Sequence, residues 1–292
     1  MKSTTALKLF ANVLNTALIL TVTVAASSAE TDRKAIAPSA HPLAKIIVQV
    51  SQVGSATAAA NGFVVGADGC HVLTNFHVAF GKGKAANGEI EWVEPIATGH
   101  PLDIKLDLQS NGTFGKQLKG RVVEYGPYHS DDLFGMSNDF AMVRLDQCLG
   151  KEYGVARLDK PEKTVRVPQT AINTISLSQL DAKRSQVYLE EKCVAASRTS
   201  ISGLFFQTCK SLPGMSGSPI FRNDADGGYT IVGMTSGGLT LPGDQKVHFA
   251  IYASLLTPFV ESVLGNASIK IADAPPTPAR TAKNPTATNT VR

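Results

Sequence analysis

From residue 42 to residue 265 the hydrophobic positions come in short runs, broken by Gly, Asp, Asn or Pro, and only once at helical spacing. Ile46-Ile47-Val48-Gln49-Val50 is rich in β-branched residues and reads as a strand. Gly62-Phe63-Val64-Val65 and Cys70-His71-Val72-Leu73-Thr74 flank a turn at Gly66-Ala67-Asp68-Gly69. Further strands are predicted over residues 121–125, 140–145, 187–190, 204–208, 219–221, 229–234 and 247–251. Many short strands separated by turn signals imply an all-β barrel or sandwich. Leu255, Leu256, Phe259, Val260 and Val263 recur at helical spacing and predict one helix, with Gly265 as its stop. Residues 81–120 are Gly-rich and weakly patterned, which predicts an extended surface loop. The polar stretch 151–170, with Pro161 and Pro168, is expected to link two halves of similar length, 42–150 and 171–265.

Both ends differ from this body. Residues 1–29 begin with Lys2 and Lys8, continue through an uncharged stretch from Leu9 to Ala26, and close on small residues. That is the composition of a cleaved export signal. A retained anchor is the alternative, but Asn12, Asn15, Thr16, Thr21 and Thr23 dilute a stretch already short for a span. Residues 266–292 are rich in Pro, Ala, Thr and Asn and lack aromatics, which predicts a disordered tail.

The net charge of +4 comes from these ends; without them residues 30–265 are left near −1. A nearly neutral body argues against nucleic acid as a partner, which needs a clustered basic face. No stable membrane insertion is expected after signal removal. Export to the periplasm or the extracellular space makes Cys70, Cys148, Cys193 and Cys209 candidates for two disulfides. Of three possible pairings we favour one per half, Cys70–Cys148 and Cys193–Cys209. No Cys-x2-Cys spacing suggests a metal, and no cofactor is expected.

Three segments carry candidate chemistry. Pro213-Gly214-Met215-Ser216-Gly217-Ser218-Pro219 places a serine between glycines. A nucleophilic hydroxyl needs a tight turn, and backbone N–H groups must converge where an oxyanion will form. The amides of Gly214 and Ser216 could do so. Ser218 is the weaker nucleophile, because Pro219 biases it to extended geometry. Val72-Leu73-Thr74-Asn75-Phe76-His77 runs from a strand into a histidine, the base such a serine requires. Asn138-Asp139-Phe140-Ala141-Met142-Val143 puts an acid before a half-buried strand, where it could fix the imidazole tautomer. Each alone has an ordinary structural explanation. Together they fall in the chain order His, Asp, Ser.

On these motifs, with Asn61-Gly62-Phe63-Val64-Val65 and Val232-Gly233-Met234-Thr235-Ser236-Gly237-Gly238, the chain resembles the trypsin/chymotrypsin-like serine endopeptidases. It is most similar to their bacterial exported branch, with the glutamyl endopeptidases and the high-temperature-requirement proteases. The resemblance implies two packed six-stranded antiparallel β-barrels with the site in the cleft between them. It implies a catalytic His77, Asp139 and Ser216, an oxyanion hole at Gly214 and Ser216, and a protein or peptide substrate. Lys210, Ser211, Thr235, Ser236 and Gly237 would line the specificity pocket, where Lys210 could select acidic side chains. It also brings the strand before the histidine near the strand after the aspartate, in favour of Cys70–Cys148.

The chain departs from the family at several points. Met215 stands where trypsin-like enzymes often carry an Asp that pairs with a freed N-terminus, and no Ile-Val-Gly-Gly start is present. Activation by that ion pair is not expected. Ala60-Asn61-Gly62-Phe63 replaces the branch's usual Gly-Thr-Gly-Phe. No peptide-binding module of the heat-shock type is expected after residue 265. A non-catalytic binder on the same fold is the competing reading, disfavoured by the intact triad. A lipase or esterase is disfavoured by the triad order, since α/β-hydrolases run Ser, Asp, His.

Overall fold

In the computed structural model, residues 32–54, 59–84, 90–92, 96–128, 133–160, 170–180, 184–196, 203–241 and 245–267 are described. The expected signal at 1–29 and nearly all of the expected tail lie outside them. Two antiparallel barrels carry the chain. The first closes in the order β2 (Ile47–Gln52), β3 (Ala59–Val65), β4 (His71–Thr74), β9 (Ala141–Leu145), β8 (Phe114–Tyr125) and β7 (Pro101–Leu108), the last pairing back onto β2. The second runs β11 (Ser185–Ala196), β10 (Thr170–Gln179), β13 (Pro219–Asn223), β14 (Tyr229–Leu241), β15 (Gln245–Tyr252) and β12 (Leu204–Gln207). It closes through Ala195↔Gln207 and Ala196↔Phe206. Closure removes the open edges that a flat sheet of this length would expose. This is the expected pair of six-stranded barrels.

The expected loop at 81–120 is corrected. After a small ribbon, β5 (Lys82–Lys84) with β6 (Ile90–Trp92), it holds β7 and the first half of β8. Leu102, Ile104, Leu106 and Leu108 are buried, and Asp103, Lys105 and Asp107 between them are half-exposed. That is the period-two pattern of a strand with one wet face. β10 also lay outside the predicted strands. Ile172 points inward, a register shift follows between Ile172 and Thr174, and Ile175 and Leu177 then take the inward positions. The bulge breaks the alternation on which a sequence reading depends.

β1 (Asp32–Ile36) adds to the outer edge of β11, with Lys34 opposite Leu189. The expected linker is tied to both barrels. It opens with the short helix α3 (Gly150–Tyr153), then Ala156 N donates to Val64 O at 2.8 Å and Asp159 N to Ile231 O at 2.8 Å. Residues 161–169 lie outside the description. The C-terminal helix α4 (Ala253–Ala267) passes through Gly265 rather than stopping there. It buries Leu256 and Val260 and sets Phe259 against Phe140 of the first barrel, ring centroids 4.5 Å apart.

Three histidines belong to this framework. His71 is buried in β4, His41 packs on Phe221 (4.9 Å) and His100 on Phe80 (5.4 Å). Burial lowers the pKa of each below the ordinary 6.5; at His71 Asp68 opposes this and Arg144 adds to it. A depressed folded value means that the unfolded chain binds the proton first. The stability these neutral rings contribute is complete above pH 6.5 and is lost as pH falls through that value towards the folded ones. Urea unfolding midpoints should therefore drop between pH 7.5 and pH 5, and drop less in His71→Gln. Equal drops in both proteins would remove His71 from this account.

Candidate active site

The site lies where the two barrels meet. β4 ends at Thr74, and Asn75, with its extended backbone (φ −79°, ψ 153°), starts the single turn α1 (Phe76–Phe80). Phe76, Val78, Ala79 and Phe80 are buried, with Phe76 stacked on Tyr128 (5.3 Å) and Phe80 edge-on to Tyr125 (5.0 Å). His77 is the residue of this turn left facing the cleft, and the aromatic packing fixes where it points. Asp139 lies between the short helix α2 (Leu133–Ser137) and β9, which pairs with β4 from Thr74↔Ala141 to His71↔Arg144. Asn75 Nδ2 donates to Asp139 O at 2.8 Å and locks the two segments together.

Asp139 is 1% exposed, so its charge must be met by hydrogen bonds. Oδ1 accepts from His77 N at 3.0 Å. Oδ2 accepts from Ser236 Oγ at 2.5 Å and faces His77 Nδ1 at 2.8 Å. This arrangement assigns the imidazole proton to Nδ1 and leaves the Nε2 lone pair 2.8 Å from Ser216 Oγ. Burial and then the Asp139 charge push Tyr128 up to about 12, so that phenol stays neutral.

Ser216 sits in a turn that depends on two left-handed glycines, Gly214 (φ 85°) and Gly217 (φ 78°). At Gly217 a Cβ would fall 1.9 Å from Asn61 O, so no other residue fits. Met215 N donates to Leu212 O, and Gly217 N to Thr235 O. Among the described residues the amides of Gly214 and Ser216 have no intramolecular acceptor. Ser218 is fully buried, out of reach of any substrate.

The other expected site residues separate into groups. Lys210 is exposed, and its backbone N–H, not its ammonium, is held by the buried Glu190 carboxylate at 3.1 Å. Ser211 is half-buried and donates its N–H to His248 Nδ1 at 3.3 Å. Gly237 and Gly238 lie opposite Phe249 and His248 on β15. Thr235 is buried and bonds Ser218 through its backbone. Ser236, expected in the pocket wall, instead turns its hydroxyl onto Asp139. His248, Glu190 and this role of Ser236 were missed by sequence reasoning, because only the β14–β15 register and the fold bring them here. The disulfides are Cys70–Cys148, linking the start of β4 to the end of β9, and Cys193–Cys209, inside the second barrel's core. Among the described residues no helix is long and apolar enough to cross a membrane.

The sequence model of the trypsin-like peptidase domain matches residues 60–234, more than half of the chain. No curated protein sequence matches it. Among solved structures, one of a Glu endopeptidase in complex with MPD is similar. Its TM-score is 0.53 at 16% identity, over 80% of this chain and 96% of that one. At that identity the likeness speaks for the fold.

Ser236→Ala removes one charge-assisted hydrogen bond from Asp139, worth about 1.5–3 kcal/mol. If that loss is felt when His77 becomes charged, the labelling of Ser216 by a fluorophosphonate should slow about 10- to 100-fold. An unchanged rate would mean that the two His77 contacts alone hold the carboxylate.

Proposed function

This chain belongs to the trypsin-like peptidase domain family, and from that premise we propose that it is an exported serine endopeptidase working through an acyl-enzyme. The observation that carries the reading is the unbroken relay from Asp139 through His77 to Ser216, 2.8 Å at each junction. Ser216 Oγ attacks the scissile carbonyl carbon while its proton passes to His77 Nε2. Asp139 keeps the ring oriented and stabilises the imidazolium. The carbonyl oxygen becomes an oxyanion and accepts from the amides of Gly214 and Ser216. The tetrahedral species collapses by breaking the C–N bond, and His77 returns the proton to the leaving amine. Water then attacks the acyl-enzyme with His77 again as base, releasing the acid and Ser216. No metal or cofactor is needed for these steps.

The substrate backbone is taken to lie along Ser236–Gly238, beyond the Pro219↔Met234 pair where β13 leaves that edge of β14. The side chain before the scissile bond would then meet Ser211, Gly237 and His248. Lys210 is too exposed to choose it by charge. The disulfides suit an oxidising compartment, which supports export.

Ser216→Ala should abolish fluorophosphonate labelling and lower turnover of a cleaved peptide on the order of 10⁴–10⁶-fold, with the melting temperature retained. A variant that cleaves at the parent rate would end the assignment. The activation step is tested separately. Met215 is buried and uncharged, and Lys34 sits in the middle of β1, paired with Leu189. A chain starting at Glu30 should be active as made, and active-site titration should reach full occupancy without any cut after Lys34. Activity that appears only after such a cut would refute this.

A further inference from the structure

The chain must order the turn around Ser216 without a charged group beside the nucleophile, since Met215 stands there. Among the described residues, one side chain from outside Leu212–Gly217 hydrogen-bonds to the backbone of that turn. It is Asn61, fully buried in β3 of the first barrel. Its Nδ2 donates to Gly214 O at 2.6 Å and to Leu177 O at 3.1 Å, and its Oδ1 accepts from Leu177 N at 2.8 Å. Its backbone N–H donates to Ser216 O at 2.7 Å, and its backbone O accepts from Thr74 Oγ1 at 2.6 Å. One residue thus holds the carbonyls of Gly214 and Ser216 and anchors both to β10 of the second barrel.

We infer that Asn61 is the positioning residue that sets the oxyanion-accepting shape of this turn; the inference rests on the endopeptidase reading above. Gly214 is a glycine in the left-handed region, so the backbone itself does little to confine it. A fixed Gly214 carbonyl limits its ψ, and a fixed Ser216 carbonyl limits the other end. The intervening amide, Met215 N–H, is already committed to Leu212 O. Among the described residues, the Gly214 and Ser216 amides are then left without acceptors. Both Nδ2 protons of Asn61 are used, and a buried network with every donor satisfied is stiff.

Asn61→Asp keeps the shape and the acceptor for Leu177 N but removes the donors, turning a carboxylate oxygen on Gly214 O. Asn61→Ala removes both functions and serves if the Asp variant does not fold. Two readouts are compared with the parent protein. In amide exchange, Met215 and Gly217, whose N–H groups are bonded only in the ordered turn, should exchange at least 10-fold faster while β13 and β14 keep their protection. In kinetics on a cleaved peptide, kcat should fall about 10²-fold with KM within about 3-fold, the size of losing one oxyanion donor. Unchanged exchange at Met215 and Gly217 would overturn the inference. So would protection lost across the whole second barrel with kcat falling only as titratable Ser216 falls, because Asn61 would then be merely structural. If the parent protein neither labels nor cleaves but the exchange of the turn still depends on Asn61, the positioning role stands and the endopeptidase reading fails.

Discussion

A buried carboxylate sets the terms for this molecule. Asp139 is cut off from water, and an uncompensated charge there would cost several kcal/mol. Its three donors come from two places: the backbone and ring of His77 in the first barrel, and the hydroxyl of Ser236 in the second. The charge therefore needs both barrels docked. The docking in turn brings Ser216, on the second barrel's turn, within 2.8 Å of the ring that Asp139 orients. Compensating the charge and bringing Ser216 to His77 are the same geometric event.

Two elements outside these contacts make that docking specific. Asn61 is a polar residue with no exposure, and its side-chain bonds cross from β3 to β10 and to the turn before Ser216. Any slip between the barrels would leave buried amide donors unpaired, so the interface has one satisfied register. The second element is the Gly217 site, where the backbone of Asn61 comes so close that a side chain is excluded. The Gly-x-Ser-Gly sequence and the asparagine are in this sense one feature, read from two distant parts of the chain.

The parts legible in the sequence were those encoded locally. A histidine after an apolar strand, an acid before one, and a serine between glycines each carry their context within about seven residues, and their order supplied the rest. The barrel strands with clean alternation were legible for the same reason, and β7 should have been: its Leu and Ile positions alternate with charges over the whole strand. β10 was hidden by its bulge, which shifts the inward set by one residue. Ser236 looked like pocket lining because strand position alone does not say which way a hydroxyl turns. His248 and Glu190 carry no local motif. They meet Ser211 and Lys210 only through contacts 37 and 20 residues apart in sequence. Lys210 was singled out by its offset from the serine; among the described residues it is held through its backbone N–H by Glu190, with its side chain exposed.

The C-terminal helix completes the argument about Asp139. Residues 139 and 140 leave the turn before β9, where Phe140 N donates to Asn138 O at 2.8 Å, and they meet different neighbours. Asp139 faces the ring of His77, and Phe140 faces α4, its ring tilted against that of Phe259. A carboxylate on a segment free to rotate could relieve its buried charge by turning outward. The aromatic contact behind it, together with Asn75 holding its carbonyl, removes that escape. The helix that follows the second barrel thus returns to brace Asp139 of the first. The cleft is consequently gripped from behind by the last described element of the chain as well as from within by hydrogen bonds.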